Sequence, residues 1–96
     1  LKPARTGVTW TLEMLALARE RGKKAMVGSQ AQSAFGAYQS ALLAFQQGVT
    51  EPCELAFHLK AEGGFFPFPP FREWWLYWED LVEARFDEEA FARYAL

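Results

Sequence analysis

The sequence predicts an all-α fold, a compact bundle of four to five short helices crossed by an extended strap rich in phenylalanine and proline. Three observations predict it. Apolar side chains recur at three- and four-residue steps in successive stretches, and glycine or proline stands at the ends of those stretches. No stretch shows the period-two alternation of a half-buried strand. At 96 residues the chain has the length of one domain, since domains commonly run to about 100–150 residues. Residues 1–8 read as an extended amino-terminal arm, because Pro3 and Gly7 interrupt any helical pattern there, and 9–96 as a single helical domain.

After a Thr9 cap, the first helix is expected over Trp10 to Arg21, with Trp10, Met14, Leu17 and Ala18 on one face and Gly22 as the left-handed stop. Ser29 and Gln32 fit an S-x-x-Q capping box, in which each side chain satisfies an amide of the first turn. The second helix then carries Ala31, Ala34, Phe35, Tyr38, Ala41, Leu42 and Phe45 on one side and ends at Gly48. Thr50 is the expected cap of a third helix, with Pro52 in its first turn, Leu55, Ala56 and Leu59 inward, and Gly63-Gly64 as its end. Pro67, Pro69 and Pro70 forbid a continuous helix through Phe65 to Phe71, which reads as the strap, placed between helices three and four. The fourth helix is expected from Phe71 to Arg85, with Phe71, Trp74, Trp75, Trp78, Leu81 and Val82 facing the core and Arg72, Glu73, Glu79, Asp80 and Glu83 facing water. Asp87 suits the N-cap of a fifth helix, with Glu88 and Glu89 in its first turn and Phe91 and Tyr94 to dock it.

Half of the aromatic residues lie between Gly63 and Trp78, and aromatics make up 17% of the chain, so that some rings are expected to remain in water. The net charge of −2 divides unevenly, +4 over residues 1–48 and −6 over 49–96, an asymmetry suited to orienting a partner. Cys53 is the sole cysteine and has no internal disulfide partner, which points to a reducing, cytoplasmic setting. No apolar run approaches the roughly 18–20 residues that span a bilayer, and no secretory h-region precedes Val8; no membrane association is expected.

The chemistry-bearing residues form no recognisable reactive set. Glu54, His58 and Glu62 would line one face of the third helix, but a di-metal bundle needs Glu-x-x-His from two helices, and position 55 is Leu55. Local ion pairing on a solvated face accounts for them. Acyl transfer requires a nucleophile with a base in reach and a third group orienting the base, which one histidine and Cys53 do not supply. Gly22-Lys23-Lys24 lacks the earlier glycine and following hydroxyl of a phosphate loop. No catalytic, metal or cofactor site is expected. Pro67 to Arg72 satisfies P-x-x-P-x-R, a pattern read by aromatic grooves, although phenylalanine at the intervening positions suits an internal strap better.

What remains is surface. Ser33, Gly36, Ser40, Leu43 and Gln47 form an uncharged seam along the back of the second helix, where another helix can approach closely, whether a partner's or one of the chain's own. Phe65, Phe66, Phe68 and Leu76 give a second candidate surface on the strap and the edge of the fourth helix. The function expected from these is a non-catalytic protein–protein interaction or assembly module, an adaptor or small subunit with a protein partner or a second copy. The alternative is an accessory nucleic-acid-binding subunit that holds phosphates with Arg19, Arg21, Lys23 and Lys24 at the end of the first helix.

Overall fold

Pro3 opens α1 (Pro3–Glu20) at a position where its missing N–H is tolerated. A computed structural model describes residues 1–30, 32–60, 66–85 and 87–94. The chain is therefore helical from Pro3, not extended through residue 8, and the interruption made by Gly7 is a kink inside the helix, at φ 79° and ψ 169°. The kink frees the Gly7 carbonyl, which accepts from Thr11 Oγ1 at 2.7 Å, while the Thr6 and Thr11 hydroxyls pair at 2.8 Å. This local pairing lets Thr11 sit fully buried. The far end matches expectation: Gly22 takes φ 63°, its N–H reaches Arg19 O at 3.2 Å, and the Lys23 N–H reaches Ala18 O at 2.8 Å. Those two bonds define a Schellman stop.

Beyond it, residues 25–29 are extended between two neighbours. On one side the Leu1 amine donates to Met26 O and the Gly28 N–H to Leu1 O, both at 2.8 Å. On the other, Ala25 O accepts from the amides of Thr50 at 2.9 Å and Glu51 at 3.2 Å, Val27 N–H donates to Cys53 Sγ at 3.2 Å, and Ser29 N–H donates to Glu54 O at 2.8 Å. Gly28 and Glu54 form an isolated parallel bridge. This pairing removes most of the third helix. Pro52 biases Glu51 toward extended backbone, and the Glu54 carbonyl, which a helix would pair four residues on with the His58 amide, accepts from Ser29 across the gap. Only a 3-10 turn, Phe57–Lys60, remains within the described part of that stretch; Gly63 and Gly64 lie outside the described residues.

The same pairing displaces the second helix. Ser29 Oγ donates to Glu54 Oε2 at 2.7 Å instead of capping, and the N-cap of α2 (Ala34–Ala44) is Ser33, whose hydroxyl accepts from the Gly36 N–H at 3.2 Å. Val27, Ala41, Leu43, Leu55 and Leu81 form the core cluster, with Tyr38, Val49, Phe68, Phe71 and Leu76 packed against it. The strap is present and mostly inward. Phe66 is buried against Phe35 and Tyr38, with ring centroids 5.5 and 4.6 Å away, and Pro69 is buried too.

The fourth helix is shorter than its periodicity suggests: α3 is Trp78–Glu83. Tyr38 Oη ties it to α2 by donating to Leu81 O at 3.0 Å. The last helix, α4 (Glu88–Tyr94), begins as expected, with Asp87 Oδ1 accepting from the Ala90 N–H at 3.0 Å and two glutamates in the first turn. The described residues thus give an all-α architecture, four α-helices with a Phe/Pro strap and no strand.

Candidate functional site

Between strap and α3 the backbone reverses in a two-residue turn. Arg72 N–H donates to Trp75 O at 2.8 Å and Trp75 N–H to Arg72 O at 2.9 Å, enclosing Glu73 at φ 50° and Trp74 at φ 70°. Two successive left-handed residues are the signature of a type I′ turn, where Asn-Gly is favoured because each other residue costs about 1–2 kcal/mol. The base of the turn is fixed by Arg72. Its Nη2 donates to Glu79 at 3.1 Å, its Nε lies 3.0 Å from Asp80, and its guanidinium stacks 3.9 Å over the Tyr77 ring. Since that arginine is half exposed, the ion pairs orient more than they stabilise.

The turn lifts aromatic rings into water. Trp74 is 94% exposed and Trp75 65%; Trp78 and Phe45, 5.4 Å apart, are each 45% exposed. A groove of about 730 Å³ lies against the turn, with Leu55, His58, Phe68, Pro69, Phe71 and Trp74 among its walls. A second, of about 670 Å³, shares part of that lining and brings in Phe45, Val49 and Trp75. Cys53, Leu55, Phe71, Glu73 and Trp74 belong to both. Apart from His58, the charged or titratable carboxylate and amine groups among the described lining residues are Glu51, Glu54 and Glu73, all acidic.

This surface is not the one the sequence suggests. In the seam of α2, Ser40 is buried and accepts from Gln32 Nε2 at 3.3 Å, and Leu43 belongs to the core. Gly36 is half-buried beside the Gln32 side chain, Ser33 caps the helix, and Gln47 is exposed and accepts from the Arg19 guanidinium. Two of the five seam residues, Ser40 and Leu43, thus pack inside the chain, while Gly36 is half-buried and Ser33 and Gln47 are exposed. On the strap, Phe66 is buried, Phe68 and Leu76 are half-buried against the core, and Phe65 lies outside the described residues. Conversely, Trp74, Trp75 and Trp78 are not the core of a long helix, since the left-handed turn ends the helical register before α3 begins. The basic residues at the end of α1 are partly engaged: Arg19 with Gln47, and Lys24 with Glu51 at 3.2 Å, while Arg21 and Lys23 are exposed.

Glu54 and His58 do not share a solvated helix face, and Glu62 lies outside the described residues. Glu54 accepts from Ser29 Oγ and from the Ala56 N–H at 2.8 Å, which together hold its carboxyl below the usual carboxylate range. His58 is 7% exposed, donates from Nδ1 to Leu55 O at 3.0 Å, and lies 4.0 Å under the Phe68 ring. Burial pushes its pKa below the ordinary 6.5, against smaller opposing effects of the Leu55 carbonyl and Glu54. In the unfolded chain the imidazole protonates first, so stability is complete above about pH 6.5 and falls as pH drops below it, until the folded-state value is passed. Urea midpoints between pH 7.5 and 5 should decline in wild type and stay flatter over pH 6.5–5.5 in His58→Gln; an equal slope in both would show that the buried imidazole is not the cause. No protein-family model, curated protein or solved structure matches the chain.

Proposed function

We propose that the chain is a non-catalytic protein–protein interaction or assembly module that engages its partner through Trp74 and the aromatic face around it. One observation carries the reading: a tryptophan occupies a left-handed position that favours glycine, and it is 94% exposed there. Neither local backbone preference nor packing accounts for a large ring at that place, and strain retained without a folding benefit is characteristic of functional surfaces. The extent of the face agrees. At about 200 Å² per ring, the exposed parts of Trp74, Trp75, Trp78 and Phe45 leave roughly 500 Å² of aromatic surface in water, at the upper end for a chain that works alone. The phosphate-binding alternative is supported less well, because two of its four basic side chains are already paired within the fold.

Two measurements test the reading. Trp74→Gly should raise the unfolding free energy by about 1 kcal/mol, since it relieves left-handed strain and removes almost no packing. A urea midpoint that falls instead would show that the ring contributes to folding. A photo-crosslinking aromatic amino acid at position 74 should give a discrete product in cell extract, competed by unlabelled wild type and not by Trp74→Gly, while the same probe at the exposed Leu12 should not. Indistinguishable patterns at the two positions would refute an interaction role for the turn.

A further inference from the structure

We propose that the occupant of this surface is a cationic extended peptide segment, an arginine or lysine set among proline or aliphatic residues; the assignment rests on the interaction role above. Rings line both grooves: Phe68, Phe71 and Trp74 with Pro69 and Pro70 in the first, and Phe45, Phe71, Trp74 and Trp75 in the second. Aromatic-lined grooves of this kind suit a polyproline-type backbone, which is extended before binding and loses little entropy on docking.

The charges choose the sign of the ligand. Glu51 is paired with Lys24 at 3.2 Å, which leaves Glu54 and Glu73 to set the sign, and no lysine or arginine lines either groove among the described residues. Glu54 is fixed in place by Ser29 and by the Ala56 amide, so its negative charge is presented without reorganisation. Glu73 is held next to Trp74 by the turn itself, which puts a carboxylate beside the most exposed ring among the described residues. A guanidinium or ammonium laid on the Trp74 face would gain cation–π attraction and the Glu73 charge together. An acidic peptide would meet the like charges of Glu54 and Glu73, and a second copy of the same face would set these carboxylates against their own kind, which argues against self-pairing here.

The test uses the whole chain and tryptophan fluorescence, with calorimetry as a second readout. The probes are a short proline-rich peptide carrying arginine and its glutamine and glutamate counterparts. The arginine peptide is expected to saturate, the glutamine peptide to bind about tenfold more weakly, and the glutamate peptide not to bind. Glu73→Lys should weaken the arginine peptide by at least about tenfold, and Glu73→Gln by less, with circular dichroism unchanged in both; raising salt should weaken the wild-type complex. Equal binding of all three peptides, abolished by Trp74→Gly, would overturn the cationic assignment and leave the interaction reading intact. No binding of the arginine peptide at millimolar concentration would overturn the assignment, the crosslink at position 74 then deciding the broader reading. A concentration-dependent mass increase lost in Trp74→Gly would replace the peptide with a second copy.

Discussion

Truncation of Leu81 to alanine is expected to lower the unfolding free energy by about 3–4 kcal/mol, within the range of roughly 2–5 for buried leucines. Leu81 is fully buried and joins Val27, Ala41, Leu43 and Leu55 in the core. It is also the one buried residue of α3, a helix of six residues. So short a helix does not persist by propensity and depends on the surface it docks against. The Tyr38 hydroxyl that reaches Leu81 O should loosen with it. For a chain of 96 residues, total stability is on the order of 5–14 kcal/mol, and each kilocalorie shifts the melting temperature by about 4–8 °C. A fall of about 12–30 °C is therefore expected by calorimetry. Val82→Ala, on the exposed side of the same helix, should cost under about 1 kcal/mol. Equal effects at the two positions would mean that α3 is not seated by Leu81.

The features legible in the sequence are those decided within a few residues. Gly22 stops α1 because only backbone geometry at that residue matters, and Asp87 caps α4 because the carboxylate and the amide it accepts from are three residues apart. Three prolines in four positions from Pro67 to Pro70 made the strap equally plain. What failed was decided at a distance. Ser29 and Thr50 both have the chemistry of helix caps, yet the pairing of 25–29 with 50–54 gives their polar groups other partners, 25 residues away in each case. Nothing local to either residue announces that pairing. The spacing of Phe71, Trp74, Trp75 and Trp78 satisfies a helix as well as any stretch in the chain. It misleads because Glu73 and Trp74 adopt a conformation their own types disfavour. Local preference and observed backbone disagree most at the site where a binding role is proposed, the pattern expected when a position is kept for contact and not for folding.

Gly48→Ala is the sharper test of how the site's other wall is built. Gly48 stands at φ 99°, and a Cβ there would lie 2.9 Å from the Leu15 carbonyl oxygen of α1. Two costs combine. The left-handed conformation alone disfavours alanine by about 1–2 kcal/mol, and the clash adds to it because a backbone carbonyl inside a helix cannot rotate away as a side chain can. A loss of about 2–4 kcal/mol is expected by urea unfolding. Gly22→Ala separates the terms, since Gly22 is also left-handed, at φ 63°, but has open space where the methyl would sit. It should cost only about 1–2 kcal/mol. The difference between the two variants then measures the close approach of α1 to the end of α2. That approach bears on binding, because Phe45 and Val49, on either side of Gly48, line the second groove. Gly48→Ala should therefore weaken the arginine peptide even where enough folded protein remains to measure it, whereas Gly22→Ala should not. Equal stability losses in the two variants would show that α1 yields to the added methyl, and that the groove wall does not depend on this contact.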